Sequence, residues 1–227
     1  MHVERVEVTI SPGFIENCYL LSDAPDSDTV VIVDPGAQPR RILAAVGERS
    51  IERIILTHRH YDHTAAVPAL LKKARVEVVA HKFDADAIPD LEDWHIPLKK
   101  LLLRESPVTR IVEEGELIAV GSGQVRVLHT PGHTVGSMCL HDEENHILIA
   151  GDTLFYGAVG RTDLSTGDPT QQRESLKRLA TLPDDTVVHP GHDEDTSIGR
   201  ERKYGFLGLF GQRPVVSVPK REEAPCS

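Results

Sequence analysis

The feature that most constrains this chain is a run of six residues, His58-Arg-His-Tyr-Asp-His63, which contains four side chains able to bind metal ions. It follows an apolar stretch of strand length, residues 51–56, and precedes residues 64–73, whose pattern predicts a helix. In open α/β sheets, loops at the carboxyl ends of strands carry the chemistry. The run therefore predicts a metal site at the edge of a mixed α/β sheet.

Alternate residues of an extended loop lie on the same side of the backbone. His58, His60 and Asp62 can therefore converge. His63 is expected to point away from them, towards a second ion.

Three further segments, each after a predicted strand, place a potential ligand beside glycine: His133, Asp152 and His192. Glycine lets the backbone turn sharply and approach an ion closely. The seven candidate ligands divide into one set of three for each ion and one bridging carboxylate: His58, His60 and His133; Asp62, His63 and His192; and Asp152. Imidazole and carboxylate together suit zinc, iron or manganese.

Charge and composition exclude several classes of function. The formal net charge of −10 argues against a nucleic-acid partner, because phosphate neutralisation requires clustered Lys and Arg. No window approaches 18 consecutive apolar residues, so no membrane association is expected. The first residues alternate as a strand and show no secretory signal, which predicts a cytoplasmic protein. The sequence is compatible with a monomer or a homodimer.

Hydrophobic periodicity predicts two halves that each combine strands with helices. The predicted strands are 3–10, 17–22, 29–34, 51–56, 76–80, 117–120, 124–129, 137–141, 146–150 and 186–189, and the predicted helices are 36–48, 64–73 and 168–182. Two such halves favour an α/β (α+β) fold in which two sheets face each other with helices outside.

The predicted domain boundaries follow from chain length, hydrophobic periodicity and composition. Residues 1–212 are expected to form one domain. Residues 82–107 match neither period and are interpreted as a lid or substrate wall, and residues 213–227, rich in proline and charge, as a mobile tail.

The ligand motifs resemble the metallo-β-lactamase-fold superfamily over residues 17 to about 205, namely Thr57-His-x-His-x-Asp-His63, Pro-Gly-His133, Gly-Asp152-Thr and Pro-Gly-His192. Four other segments resemble its glyoxalase II-like group, the hydroxyacylglutathione hydrolases, and related persulfide dioxygenases: 17–20, 151–155, 160–163 and 196–202. The resemblance implies a four-layer αβ/βα sandwich with metals at one edge, and a ligand role for each matching residue.

The same resemblance implies a binuclear thioesterase that cleaves acyl-glutathione or a related small-molecule thioester. Two divalent cations, zinc first and iron or manganese as alternatives, would convert a bridging water to the nucleophilic hydroxide, with Asp62 and Asp152 as the catalytic carboxylates. Arg161 is expected either to pair with Asp163 or to face the substrate.

Three other functions stay open. A mononuclear iron persulfide dioxygenase would use His58, His133 and Asp152 as a two-histidine, one-carboxylate site. A nuclease of the same fold would need positive surface that the composition does not indicate. A non-catalytic metal-binding module would bind ions without turnover.

Overall fold

A computed structural model describes residues 1–88 and 107–210. Its first sheet has strands in the order β1 to β6: β1 (His2–Ser11), β2 (Phe14–Ser22), β3 (Thr29–Val33), β4 (Ser50–Leu56), β5 (Glu77–His81) and β6 (Arg110–Val112). The first three strands form an antiparallel meander. The pairs from β3 to β6 are parallel, with Ile32 opposite Ile54.

The second sheet has the order β14-β13-β10-β9-β8-β7. Its strands are β7 (Leu117–Val120), β8 (Gly123–His129), β9 (Met138–Asp142), β10 (Ile147–Gly151), β13 (Val187–Pro190) and β14 (Thr196–Ser197). Only the β10–β13 pair is parallel in this sheet. A separate two-stranded hairpin is formed by β11 (Leu154–Phe155) and β12 (Ala158–Val159).

Helices cover the outer faces of both sheets. They are α1 (Pro39–Val46), α2 (Tyr61–Thr64), α3 (Val67–Leu71), α4 (Pro169–Leu179) and α5 (Ile198–Tyr204), with 3-10 turns at Ala85–Ala87 and Phe206–Leu209. Ile42 of α1 and Leu70 of α3 pack against the first sheet, and Leu176 of α4 packs against the second. The four-layer αβ/βα sandwich predicted from the sequence is confirmed.

The residues of β3 show why the two sheets stack. Val30 and Ile32 join the apolar cluster under α1 and α3, whereas Val31 and Val33 join the cluster between the sheets. Both faces of this strand are buried, which accounts for its unbroken apolar run. Val127 and Leu140 meet the same inner cluster from the second sheet.

One helix prediction is wrong. Residues 64–73 do not form a continuous helix, because the chain forms a short α2 and restarts at α3. Pro68 has no backbone N–H and its ring would clash with the preceding turn, but it is tolerated in the first turn of a new helix. Asp62 and His63 consequently lie on α2 and not on an extended loop.

The proposed lid, residues 82–107, is described only at its start and at residue 107. Residues 82–88 form a turn and the 3-10 helix Ala85–Ala87, and residues 89–106 lie outside the described residues. The predicted tail, 213–227, also lies outside them. Within residues 1–88 and 107–210, no helix is long and apolar enough to cross a membrane.

Candidate metal centre

The seven candidate ligands meet where the two sheets share an edge. His58 follows β4, and α2 begins three residues after His58. His133 lies in the β8–β9 turn, Asp152 directly follows β10, and His192 follows β13. Six of the seven are buried, and the His192 side chain is 13% exposed. Residues from four distant parts of the chain therefore form one buried centre.

The first cluster consists of His58, His60 and His133. Each offers one nitrogen, and these atoms lie within 4.8 Å of one another. The Nδ1 atom of His60 is 2.9 Å from Nε2 of His133, and the His58 ring meets both other rings edge-on at 4.8 and 4.9 Å. This spacing suits three ligands of one ion.

The second cluster consists of Asp62, His63 and His192. The Nε2 atom of His192 is 3.4 Å from Oδ2 of Asp62 and 3.4 Å from Nε2 of His63. The expected convergence of Asp62 with His58 and His60 is wrong. The extended backbone ends at His60, and helix α2 places Asp62 beside His63.

Asp152 lies between the clusters. Its Oδ2 atom is 3.4 Å from Nε2 of His133, and its Oδ1 atom is 3.3 Å from Nε2 of His63. Gly191 allows this close approach, because a Cβ atom there would lie 2.3 Å from Oδ1 of Asp152. One carboxylate therefore reaches both clusters, as expected of a bridge.

Asp34, at the end of β3, orients the first loop. Its two oxygens accept the Thr57 backbone N–H at 2.7 Å and the Thr57 hydroxyl at 2.5 Å. Nδ1 of His63 donates to the same carboxylate at 3.0 Å. Since the Thr57 hydroxyl already donates, Nδ1 of His58 donates to it at 3.1 Å. This network assigns the tautomer that leaves Nε2 of both histidines facing the centre.

Backbone carbonyls orient two further histidines in the same way. Nδ1 of His133 donates to the Arg161 carbonyl at 2.7 Å, and Nδ1 of His192 donates to the Ile15 carbonyl at 2.6 Å. Each hydrogen bond leaves Nε2 as a lone-pair donor towards the centre.

The electrostatics favour the metal-binding forms of several ligands. Burial lowers the pKa of His58 well below its ordinary value and that of His60 to about 4, so both are neutral near pH 7. Burial opposes ionisation of Asp62, but the fields of His63 and His192 outweigh it and lower the pKa of Asp62 to about 2. Metal ligands must be deprotonated in this way.

His63 shows the opposite shift. Burial alone would lower its pKa, but the carboxylates of Asp152, Asp62 and Asp34 outweigh that effect and raise it. The same concentration of negative charge that favours a proton on His63 also favours a cation beside it.

The hydrogen bonding of two buried ligand atoms indicates whether the centre fits metal ions. Nε2 of His58 and Oδ1 of Asp152 have no hydrogen-bond partner. Buried polar atoms in folded proteins are nearly always paired. Both atoms face the cluster of imidazoles and carboxylates, a donor set that suits divalent transition metals. The residues therefore fit the metal ions that the sequence predicts.

A cavity of about 560 Å³ opens onto the centre. Apolar side chains form most of its wall: Phe14, Phe155, Ala158, Val159 and Leu164. Arg161 also lines it, and donates from Nε and Nη2 to the two oxygens of Asp163 at 2.7 Å each. The two roles considered for Arg161 are therefore compatible, since it pairs with Asp163 and also faces the cavity.

Sequence reasoning missed several residues that support this centre. Asp34 ends a parallel strand beside β4, and that position is the signal that could have identified it. Phe14, whose ring stacks on His192 at 5.0 Å, was missed because β2 begins three residues before the predicted start.

Comparisons with known proteins agree with this fold. A family model described as the metallo-beta-lactamase superfamily matches residues 11–192. A hydroxyacylglutathione hydrolase, GloC, from Haemophilus influenzae is 31% identical over 211 residues, covering 89% of this chain and 96% of the relative.

Two solved structures are also similar. The protein TTHA1623, in a di-iron-bound form, is 35% identical with a TM-score of 0.73, covering 88% of this chain and 98% of its own. ETHE1 from Myxococcus xanthus is 29% identical with a TM-score of 0.74, covering 92% and 88%. The fold, the arrangement of ligands and the family match lead to one conclusion: the chain belongs to the metallo-β-lactamase superfamily.

Proposed function

We propose that this protein is a binuclear metal-dependent hydrolase that cleaves a thioester, such as an acyl-glutathione. The observation that carries the proposal is the pair of three-ligand clusters with Asp152 between them. Similarity to a hydroxyacylglutathione hydrolase over most of both chains supports the choice of a thioester.

His58, His60 and His133 would hold one divalent cation, Asp62, His63 and His192 the other, and Asp152 would contact both. When bound, such cations supply Lewis acidity, which lowers the pKa of a water between them and polarises a carbonyl oxygen. Zinc is the first choice, while iron and manganese suit the same donors and one similar structure contains two irons.

Hydrogen bonds within the protein fix the orientation of the candidate ligands before substrate binds. The Asp34 network and the carbonyls of Arg161 and Ile15 hold the histidine rings with their Nε2 atoms inward. Phe14 and Phe155 flank His192 and restrict water on the cavity side. Such preorganisation lowers the cost of reorganising the site during reaction.

The leaving group explains why a thioester suits this cavity. A thiol has a pKa of about 8.5 and leaves as a thiolate without a strong general acid. Arg161 is the proposed substrate-binding side chain. A substrate carboxylate at the cavity mouth would compete with Asp163 for its two N–H donors.

The first experiment measures metal identity and stoichiometry by mass spectrometry on protein purified without chelator from cells supplied with zinc and iron. Hydrolysis of S-lactoylglutathione is then assayed on the same sample. The proposal expects two ions per chain and thioester cleavage.

Other outcomes would replace the proposal. One iron per chain together with oxygen consumption on glutathione persulfide would favour the dioxygenase, in which His58, His133 and Asp152 hold the iron. Two ions per chain without turnover of any thioester would favour the non-catalytic module.

A further inference from the structure

The β11–β12 hairpin forms one wall of the cavity but belongs to neither large sheet. Its strands pair only with each other among the described strands, with Leu154 opposite Val159 and Phe155 opposite Ala158. A two-stranded ribbon of this length is marginal by itself. Its position must therefore be set by contacts with the rest of the molecule.

The inner side of the hairpin faces the proposed substrate. Phe155, Ala158 and Val159 line the cavity, and the Phe155 ring meets the His192 ring edge-on at 5.9 Å. Leu154 is fully buried in the apolar cluster beneath α4 and α5, and its cross-strand partner Val159 also packs against that cluster. A small displacement of the hairpin would therefore change the cavity wall next to a candidate ligand.

The outer side of the hairpin is held by α5. The Glu201 carboxylate is fully buried, and its Oε1 atom accepts the Gly157 backbone N–H at 3.1 Å and the Thr196 hydroxyl at 2.7 Å. Arg200 donates to the same oxygen. The Arg200 guanidinium also lies 3.4 Å from the centre of the Tyr156 ring. Two adjacent residues of α5 therefore hold the two turn residues of the hairpin.

Burying a carboxylate is costly unless hydrogen bonds compensate it. Here three donors, from the hairpin turn, from β14 and from α5, all reach Oε1, whereas Oε2 is buried without a hydrogen-bond partner. The segment 196–202 resembles the glyoxalase II-like group, but it contributes no side chain to the metal centre. These hydrogen bonds give it a structural role. It connects the end of the second sheet to the cavity wall.

We propose that Glu201 is a positioning residue that fixes the β11–β12 hairpin as an apolar wall, and that this wall selects thioesters with an apolar acyl group. This inference rests on the proposed function, because it takes thioester hydrolysis as the reaction. Five apolar side chains line the cavity, and Arg161, the cation among the described lining residues, is paired with Asp163. Each methylene of substrate buried against such a wall favours binding by about fourfold.

The test compares acetyl and hexanoyl thioesters of N-acetylcysteamine, which differ only in acyl length. The metal-loaded wild-type protein is expected to prefer the hexanoyl substrate in kcat/KM. Glu201→Ala, which removes the acceptor of the Gly157 N–H, should reduce that preference by at least about fivefold by raising KM for the hexanoyl substrate, with kcat and metal content unchanged. A residue that served only global stability would not change the ratio between two substrates.

Two further variants complete the design. Thr196→Val removes another hydrogen bond to the same Glu201 oxygen without touching the hairpin, and should leave the ratio unchanged. Arg200→Ala removes the contact with the Tyr156 ring at a side chain that is 29% exposed, and should lower the ratio about twofold. The Arg200 variant still tests the proposal if Glu201→Ala does not fold.

The proposal is overturned if the wild type shows no preference for hexanoyl, or if folded Glu201→Ala and Arg200→Ala keep the wild-type ratio. Equal loss on both substrates together with metal loss would also overturn it. Should the wild type hydrolyse no thioester, the proposed function fails separately. Calorimetric titration with hexanoate and acetate then tests the wall, with tighter hexanoate binding expected in the wild type and lost in Glu201→Ala.

Discussion

The two sheets supply the candidate ligands in different ways. The first sheet delivers four of them within six residues, from the loop after β4 and the adjoining helix α2. The second sheet delivers three, each alone on its own turn: His133, Asp152 and His192. The first set is a local motif that one strand end positions, whereas the second set exists only after the second sheet has formed.

The difference extends to how each set is held. The first loop is fixed within its own sheet, because Asp34 on β3 accepts three hydrogen bonds from Thr57 and His63. The loop that carries His192 is held by the opposite sheet. Nδ1 of His192 donates to the Ile15 carbonyl, and the side chains of Asn17 and Tyr19 donate to the Pro190 carbonyl. Docking of the sheets therefore positions the loop that carries His192.

The strongest test of the comparison is Asp152→Ala, because this carboxylate reaches both clusters. Removing it should lower kcat/KM for a thioester by more than about a thousandfold and reduce metal content below two ions, while the fold is kept. Asp185→Ala, at an exposed carboxylate paired with His146, is the matched control. Near-normal turnover by the Asp152 variant, measured beside that control, would refute the bridging assignment.

The next largest effect is expected from Asp34→Asn. An amide group at this position can accept only some of the three hydrogen bonds and turns N–H donors towards other donors. Metal affinity or activity should fall about 10- to 100-fold, as for other residues that orient metal ligands. Competition with a metal-binding dye measures the affinity.

Asp142→Asn provides the control for this experiment. Asp142 is also buried, but it lies at the far end of β9 and accepts a hydrogen bond from the Asn145 backbone. Its substitution should leave metal affinity unchanged. Equal losses in both variants would mean that Asp34 acts through general stability and not through His63 and Thr57.

Metal removal should affect hydrogen exchange differently in the two sets of ligands. After chelation, hydrogen exchange should accelerate by at least about tenfold at residues 131–136 and 190–193, and much less at residues 57–63. The reason is that three hydrogen bonds to Asp34 still hold the first loop when the ions leave, whereas His133 and His192 each keep one hydrogen bond to a backbone carbonyl. Mass spectrometry of peptides from loaded and chelated protein measures this, with β3 as internal reference. Equal acceleration in all three loops would contradict the comparison.

Much of the fold could be predicted from the sequence, because its signals are local. The alternating residues of β1 and the apolar run of β3 define strands, and Asp168 followed by Pro169 marks the start of α4. The break between α2 and α3 was missed because residues 64–73 keep a helical pattern across it. The local signal was Pro68, since a proline inside a helical pattern marks the end of one helix or the start of another.

For the site, the residue types were easier to predict than their arrangement. The seven candidates could be named from motifs, but the position of Asp62 depended on where the extended backbone ends. Asp34 and Glu201 were missed because their roles arise from contacts between distant segments, such as Glu201 with Gly157. Such contacts follow from tertiary packing and leave no periodic signal in the sequence.

The smallest effect is expected from Tyr19→Phe, which removes one hydrogen bond between the sheets. The Tyr19 hydroxyl donates to the Pro190 carbonyl at 2.7 Å, and Asn17 donates to the same oxygen at 3.0 Å, so the carbonyl keeps a partner. The free energy of unfolding should therefore fall by only about 1 kcal/mol. Urea titration of the metal-loaded protein measures it, with Tyr204→Phe, at a side chain 70% exposed, as control.

If the opposite sheet holds the His192 loop, Tyr19→Phe should also speed hydrogen exchange at residues 190–193 while leaving residues 57–63 unchanged. Turnover should stay close to that of the wild type, because Nδ1 of His192 keeps its hydrogen bond to Ile15. An unchanged free energy of unfolding would show that the Tyr19 contact contributes nothing to the docking of the sheets. A loss of turnover larger than about tenfold would instead place Tyr19 among the residues on which the geometry of the centre depends.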